Sequence, residues 1–206
     1  MKSKKVWIGI AMASILWFIM FSPWTATKVN FWLCMACSGI ILITFATLNC
    51  PEWKKDIHFS WQQILLGLLI AFFLWWVFWI GNKVTGWIFG FEKAQVNMIY
   101  DMKVGTPSWL IAVLLLFIIG PAEEIFWQGF VQKSLSKQMN ATTGFIITLS
   151  CYTLIHIWSL NFMLIMAALV VGFCWGFIYR LRPQWLTALI ISHAVWDTCA
   201  FVLLPF

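Results

Sequence analysis

Two carboxylates, Glu123 and Glu124, stand side by side in the otherwise apolar stretch IIGPAEEIFWQGF, which runs from Ile118 to Phe130 and also holds Gln128. Two further stretches set polar groups among apolar ones. SCYTLIHIW places His156 four residues after Tyr152, and SHAVWDT places Asp197 four residues after His193. A spacing of four puts each pair on one face of a helix. Carboxylates and imidazoles accept and donate protons in general acid–base chemistry, and inside a membrane they also mark proton relays and substrate pathways.

The elements that must position these groups are membrane spans. Of the 206 residues, 63% are hydrophobic and only 10% charged, against about 25% charged in an ordinary globular domain. Sixteen tryptophans and nineteen phenylalanines exceed what a soluble domain of this length hides, so lipid is the solvent for much of the surface. Seven apolar segments approach the length of a spanning helix: Val6 to Phe21, Phe31 to Leu48, Ile64 to Ile80, Ser108 to Val131, Thr142 to Ile157, Phe162 to Tyr179 and Gln184 to Leu204. Runs this long without polar alternation do not match a membrane β-barrel. The expected fold is all-α, a polytopic bundle of about seven transmembrane helices. It forms one membrane domain over 1–206, with N-terminal spans and an outer interfacial segment in 1–105 and the polar spans in 106–206. The first apolar run is too long for a secretory h-region and is expected to be retained. The cysteines, mostly within apolar runs, read as packing residues.

The formal net charge of +6 is spread over short inter-helix segments with no basic stripe, which excludes nucleic acid as a partner and makes the basic residues topology signals. With a cytoplasmic N-terminus the inner segments carry Lys2, Lys4, Lys5, Lys54, Lys55, Lys133, Lys137, Arg180 and Arg182, and the outer ones Lys28, Lys83, Lys93 and Lys103. Nine against four predicts a multi-pass protein of the cell membrane with its N-terminus inside. Asn140-Ala-Thr142 then lies inside, where it is not a glycosylation acceptor.

The glutamates belong within the fourth span. Its uninterrupted apolar part, Trp109 to Ile119, reaches only about 17 Å against a hydrocarbon core of roughly 30 Å; continuing from Ser108 through Pro121, Glu123, Glu124 and Gln128 to Val131 gives about 36 Å. Acidic side chains at a span centre cost about 2.5–3.5 kcal/mol each on insertion scales, so the pair persists only where something compensates or uses it. A competing reading takes GPAEE as the start of a helix, with proline in the first turn and acids on the positive end of the dipole. Counted inward from the basic boundary, Glu123 lies 10 residues from Lys133, His156 14 from Thr142 and His193 10 from Pro183, depths of roughly 15 to 21 Å. A lone histidine in an apolar helix is more often a hydrogen-bonded packing residue. Here the shared depth lets all three groups converge on one polar cavity, which spares the cost of burying them singly.

These residues resemble the CPBP family of intramembrane proteases, also called Abi or the CAAX protease and bacteriocin-processing family. The family's Glu-Glu-x-x-x-Arg is similar to Glu123-Glu124-Ile-Phe-Trp-Gln128, its Phe-x-x-x-His to Tyr152-Thr-Leu-Ile-His156, and its His-x-x-x-Asn/Asp to His193-Ala-Val-Trp-Asp197. The resemblance covers about Ser108 to Leu204. It departs at Gln128, which removes a fixed positive charge, and at Tyr152, which adds a hydroxyl. It implies an active-site cavity within the membrane and endoproteolysis of a membrane-anchored or amphipathic peptide, as in the CAAX prenyl proteases. It further implies Glu123 as general base on a water, His156, His193 and Asp197 orienting that water and stabilising an oxyanion, Glu124 as a supporting acid, and Gln128 and Tyr152 in support.

The expected cofactor is none, although two histidines and a glutamate also make a catalytic zinc set; no His-Glu-x-x-His lies on one helix, and the residue types leave zinc open. Two other classes stay in view. A proton-coupled transporter would also place carboxylates and imidazoles mid-membrane, but no half-repeats or paired broken helices occur. A non-catalytic immunity or regulatory partner would keep the fold, and Gln128 speaks for it. The expected partners are the lipid bilayer and a membrane-associated peptide or protein substrate.

Overall fold

The computed structural model describes residues 2–206, with side chains described from Lys4 onward, so Lys2 of the inner charge count lies outside the described side chains. The chain is 86% helical, without strands among the described residues, and seven helices are long and apolar enough to cross a membrane. It is an all-α, multi-pass membrane protein. The long helices are α1 Lys2–Phe21, α2 Phe31–Asn49 and α3 Trp61–Ile88, followed by a short α4, Glu92–Asp101. Then come α5 Ser108–Gln138, α6 Ala141–Ile155, α7 Phe162–Leu181 and α8 Leu186–Thr198, whose last turns widen into a π-type stretch over Cys199–Leu203. Side-chain caps start several of them: Asn30, Ser60, Asn140 and Asn161 each accept from a backbone N–H three residues on, satisfying a donor the helix leaves free.

α3 extends beyond the expected Ile64 to Ile80 at both ends, so part of the segment read as interfacial continues the span. Only α4 stands apart. The reading of GPAEE as a helix start is overturned: α5 runs through Pro121 without a break. The helix widens to π-type hydrogen bonding over Leu115–Ile119, just before the proline, and again over Ile125–Gln132. Widening of this kind redirects carbonyls that a proline leaves without a donor and often accompanies a functional site. The fifth span runs over Ala141–Ser159 and changes helix type near its end. α6 stops at Ile155, and His156 opens a 3₁₀ turn, His156–Ser159, that leads to Leu160 at φ 51°.

Two ends of the bundle can be distinguished. At the basic end the turn Pro51–Asp56 is tied to α5 and α7. Lys133 Nζ donates to Asp56 Oδ2 at 2.5 Å and to the Glu52 carbonyl at 3.1 Å, Tyr179 Oη donates to Asp56 Oδ2 at 2.9 Å, and Lys137 pairs with Glu52. At the opposite end α4 braces the end of α8. Tyr100 Oη donates to the Ala200 carbonyl, Lys103 Nζ to that of Phe201 and Trp32 Nε1 to that of Met102. Burial pushes the Tyr100 hydroxyl above its ordinary value, which keeps it a donor. The side chain of Gln95 on α4 also reaches the start of α7, accepting from the Met163 N–H.

Close helix approaches make the core. Gly120 on α5 meets Ala194 on α8 so tightly that a Cβ there would lie 2.7 Å from the Ala194 Cα; Gly172 on α7 sits against the Tyr152 ring in the same way. Large apolar side chains on the other faces, among them Phe72, Phe73 and Trp87 of α3, stay exposed, as lipid-facing residues do.

Candidate active site

The tight contact of α5 with α8 brings the acidic pair to the second imidazole. His193 Nδ1 lies 3.0 Å from Glu124 Oε1, and its Nε2 lies 3.4 Å from Asp197 Oδ2 one turn on. Two such contacts need two protons shared among the ring and the two carboxyl groups, since ring nitrogens and carboxylate oxygens otherwise repel. The ring is held flat against Trp175, centroids 3.8 Å apart and planes 18° apart, and Trp175 Nε1 is fixed by the Ser192 hydroxyl at 3.1 Å. Gln128 Nε2 approaches Glu124 Oε1 at 3.5 Å, a long contact from the position where the resembling family has arginine.

Glu123 faces differently from its neighbour. Both are buried, at 7% and 1% exposure, but Glu123 lines a cavity of about 330 Å³ that Glu124 does not reach. Successive helical residues point about 100° apart, so one of an adjacent pair faces the cavity while the other faces the α8 side. Tyr152 Oη donates to Glu123 Oε2 at 3.1 Å, and Tyr152, His156, His193 and Asp197 line the same cavity. Glu123 of α5, His156 just past α6, and His193 and Asp197 of α8 therefore share one space, most of whose remaining wall is apolar.

His156 is in that wall with both nitrogens engaged. Trp17 Nε1 of α1 donates to Nε2 at 3.2 Å, so the proton is on Nδ1, which donates to the Tyr152 carbonyl at 2.8 Å. That is a neutral imidazole of fixed tautomer, held where α6 ends. The side chains as arranged do not fit a zinc ion: both nitrogens of His193 face carboxylates, both of His156 are bonded, and no His, Cys, Asp or Glu group of three is disposed for a metal among the described residues.

All seven residues singled out in the sequence are at or beside the cavity. Glu123, Tyr152, His156, His193 and Asp197 line it, and Glu124 and Gln128 stand behind it. Sequence reasoning missed Trp17 and Trp175, which it assigned to packing and interfacial belts. Among sixteen tryptophans nothing in the residue pattern marks these two, because α1 and α7 meet the histidines only through folding.

The fold and site define a polytopic helical membrane protein with a buried carboxylate–imidazole cluster opening into an apolar cavity. Residues 105–199, a little under half of the chain, match the family model described as type II CAAX prenyl endopeptidase Rce1-like. That segment, which holds the whole cluster, is similar to the CAAX-protease (CPBP) family. No curated protein and no solved structure was found to match it.

Proposed function

We propose that this protein is an intramembrane endopeptidase that hydrolyses a peptide bond in a membrane-associated peptide. The observation that carries the reading is the division of the acidic pair. Glu123 faces the cavity with a phenol hydroxyl on one oxygen, while Glu124 turns away to His193. In this mechanism Glu123 accepts a proton from a water in the cavity as its oxygen attacks the peptide carbonyl. The negative charge that develops on the carbonyl oxygen is stabilised by protons held in the His193–Glu124–Asp197 group, with Tyr152 holding Glu123 in orientation. Glu123 then gives its proton to the departing amine. His156, bonded at both nitrogens, acts as wall and orients Tyr152 through the backbone carbonyl.

The test is cleavage of a panel of membrane-anchored peptides by the purified protein. Glu123→Ala and His193→Ala are each expected to lower the rate by about 100-fold or more, the usual contribution of a general base. A Glu123→Ala protein that folds and retains its cellular effect would replace this reading with that of a non-catalytic partner, which Gln128 in the arginine position favours.

A further inference from the structure

The cavity's direction is a separate matter from its chemistry. Toward the basic end it is closed. On that side of Glu123 the residues Trp127, Phe130 and Val131 of α5 and Leu186 and Leu189 of α8 are buried, and below them the Lys133–Asp56–Tyr179 cluster ties α5, α7 and the Pro51–Asp56 turn together. Toward the other end the cavity is walled by residues from element ends that gather there: Phe31 and Trp32 at the start of α2, Val96 and Tyr100 on α4, Met163 at the start of α7, and Phe201 at the end of α8. Glu123 thus sits nearer the basic end by residue count, yet its cavity leads the other way.

We propose that the site is entered from the face of the membrane opposite the basic end, so that its occupant is an exported, apolar peptide segment rather than a cytosolic one. Among residues with described side chains, Lys4, Lys5, Lys54, Lys55, Lys133, Lys137, Arg180 and Arg182 lie at the closed end, against Lys28, Lys83, Lys93 and Lys103 at the open end. Basic residues in short loops stay in the cytoplasm, which places the open end outside. Among the described residues no lysine or arginine lines the cavity, and apolar side chains make up most of its wall, so an uncharged, lipophilic stretch of peptide is the chemistry it accommodates. The substrate class rests on the peptidase reading, whereas the side of entry does not.

The experiment uses the full chain with its six cysteines replaced by alanine and single cysteines introduced as Val96→Cys in the cavity wall and Lys55→Cys in the basic turn. A membrane-impermeant maleimide is applied to intact spheroplasts and to inside-out vesicles. The expected result is labelling of Val96→Cys in spheroplasts only and of Lys55→Cys in inverted vesicles only. The reverse pattern, or Val96→Cys labelled only in inverted vesicles, overturns the proposal. If the cysteine-free chain does not accumulate, impermeant amine labelling of the unsubstituted protein with peptide mass spectrometry reads the same orientation, with Lys28, Lys93 and Lys103 expected to react from outside. A peptide substrate confined to one side is expected to be cut in spheroplasts and not in inverted vesicles. Outside labelling with no cleavage from either side would retire the peptidase and leave the entry face standing, whereas cleavage only from the inside would overturn the entry face alone.

Discussion

Gly120 is the hinge on which the geometry of the site rests, and its replacement by alanine tests that geometry directly. A Cβ at this position would lie 2.7 Å from the Ala194 Cα, 2.9 Å from its nitrogen and 3.1 Å from its Cβ. Two of these are backbone atoms, which cannot rotate away as a side-chain tip can. Ordinary carbon contacts lie at about 3.5–4.0 Å, so α5 and α8 must separate by about 1 Å. Glu124 lies one turn from Gly120, and His193 is the residue before Ala194. The 3.0 Å contact between them would therefore stretch toward about 4 Å, past the hydrogen-bond range. Overpacking of this sort costs about 1–3 kcal/mol, while alanine for glycine in a helix returns about 0.8–1 kcal/mol, so the net loss of stability is about 0–2 kcal/mol. Activity should suffer far more, because a misplacement of about 1 Å in a catalytic group lowers rates by on the order of 100-fold. Purified Gly120→Ala protein would be compared with the unsubstituted protein and with Gly90→Ala, where nothing lies within 4 Å of the added methyl. Thermal melting in detergent and cleavage of a membrane-anchored peptide would be measured side by side. The expected outcome is near-normal melting with activity nearly lost in Gly120→Ala, and neither changed in Gly90→Ala. A folded Gly120→Ala protein that cuts at the normal rate would show that the spacing of α5 and α8 does not govern the chemistry.

Two further outcomes follow from the same contacts. Tyr152→Phe removes the hydroxyl that donates to Glu123 at 3.1 Å; one hydrogen bond to a charged group is worth about 1.5–3 kcal/mol, so turnover should fall by about 10- to 100-fold, and an unchanged rate would reduce the hydroxyl to a packing role. Asp56→Asn leaves Lys133 without its anion and weakens the acceptor for Tyr179 in a largely buried cluster; a loss of about 1–3 kcal/mol is expected in detergent unfolding, with no loss if the basic end is held by apolar contacts alone.

How much was legible in the residues differs between fold and site. Span number and type came from apolar runs, because lipid admits only helices whose backbone is bonded internally or closed barrels. The end of the third span and the helix type at the end of the fifth were less legible: α3 runs on to Ile88 through GNKVTGW, whose glycines weaken a helix without ending it, and His156 lies in the 3₁₀ turn that completes the fifth span. The continuity of α5 through Pro121 was reasoned from the length needed to cross. Its form is marked in the residue order only by Pro121, beside the first π-type stretch; the second, Ile125–Gln132, has no such mark.

The grouping of polar residues at similar depth was determined by the sequence alone. Helical rise converts residue number into distance along a span, and the cost of burying Glu123, Glu124, His156, His193 and Asp197 in lipid demands that they meet. Lateral facts were decided only by tertiary structure: which glutamate faces the cavity, which tryptophan lies on which imidazole, and which end of the cavity is closed. The physical reason is that depth is a property of one helix and its solvent, whereas facing, stacking and closure depend on the rotation of each helix against neighbours distant in the chain.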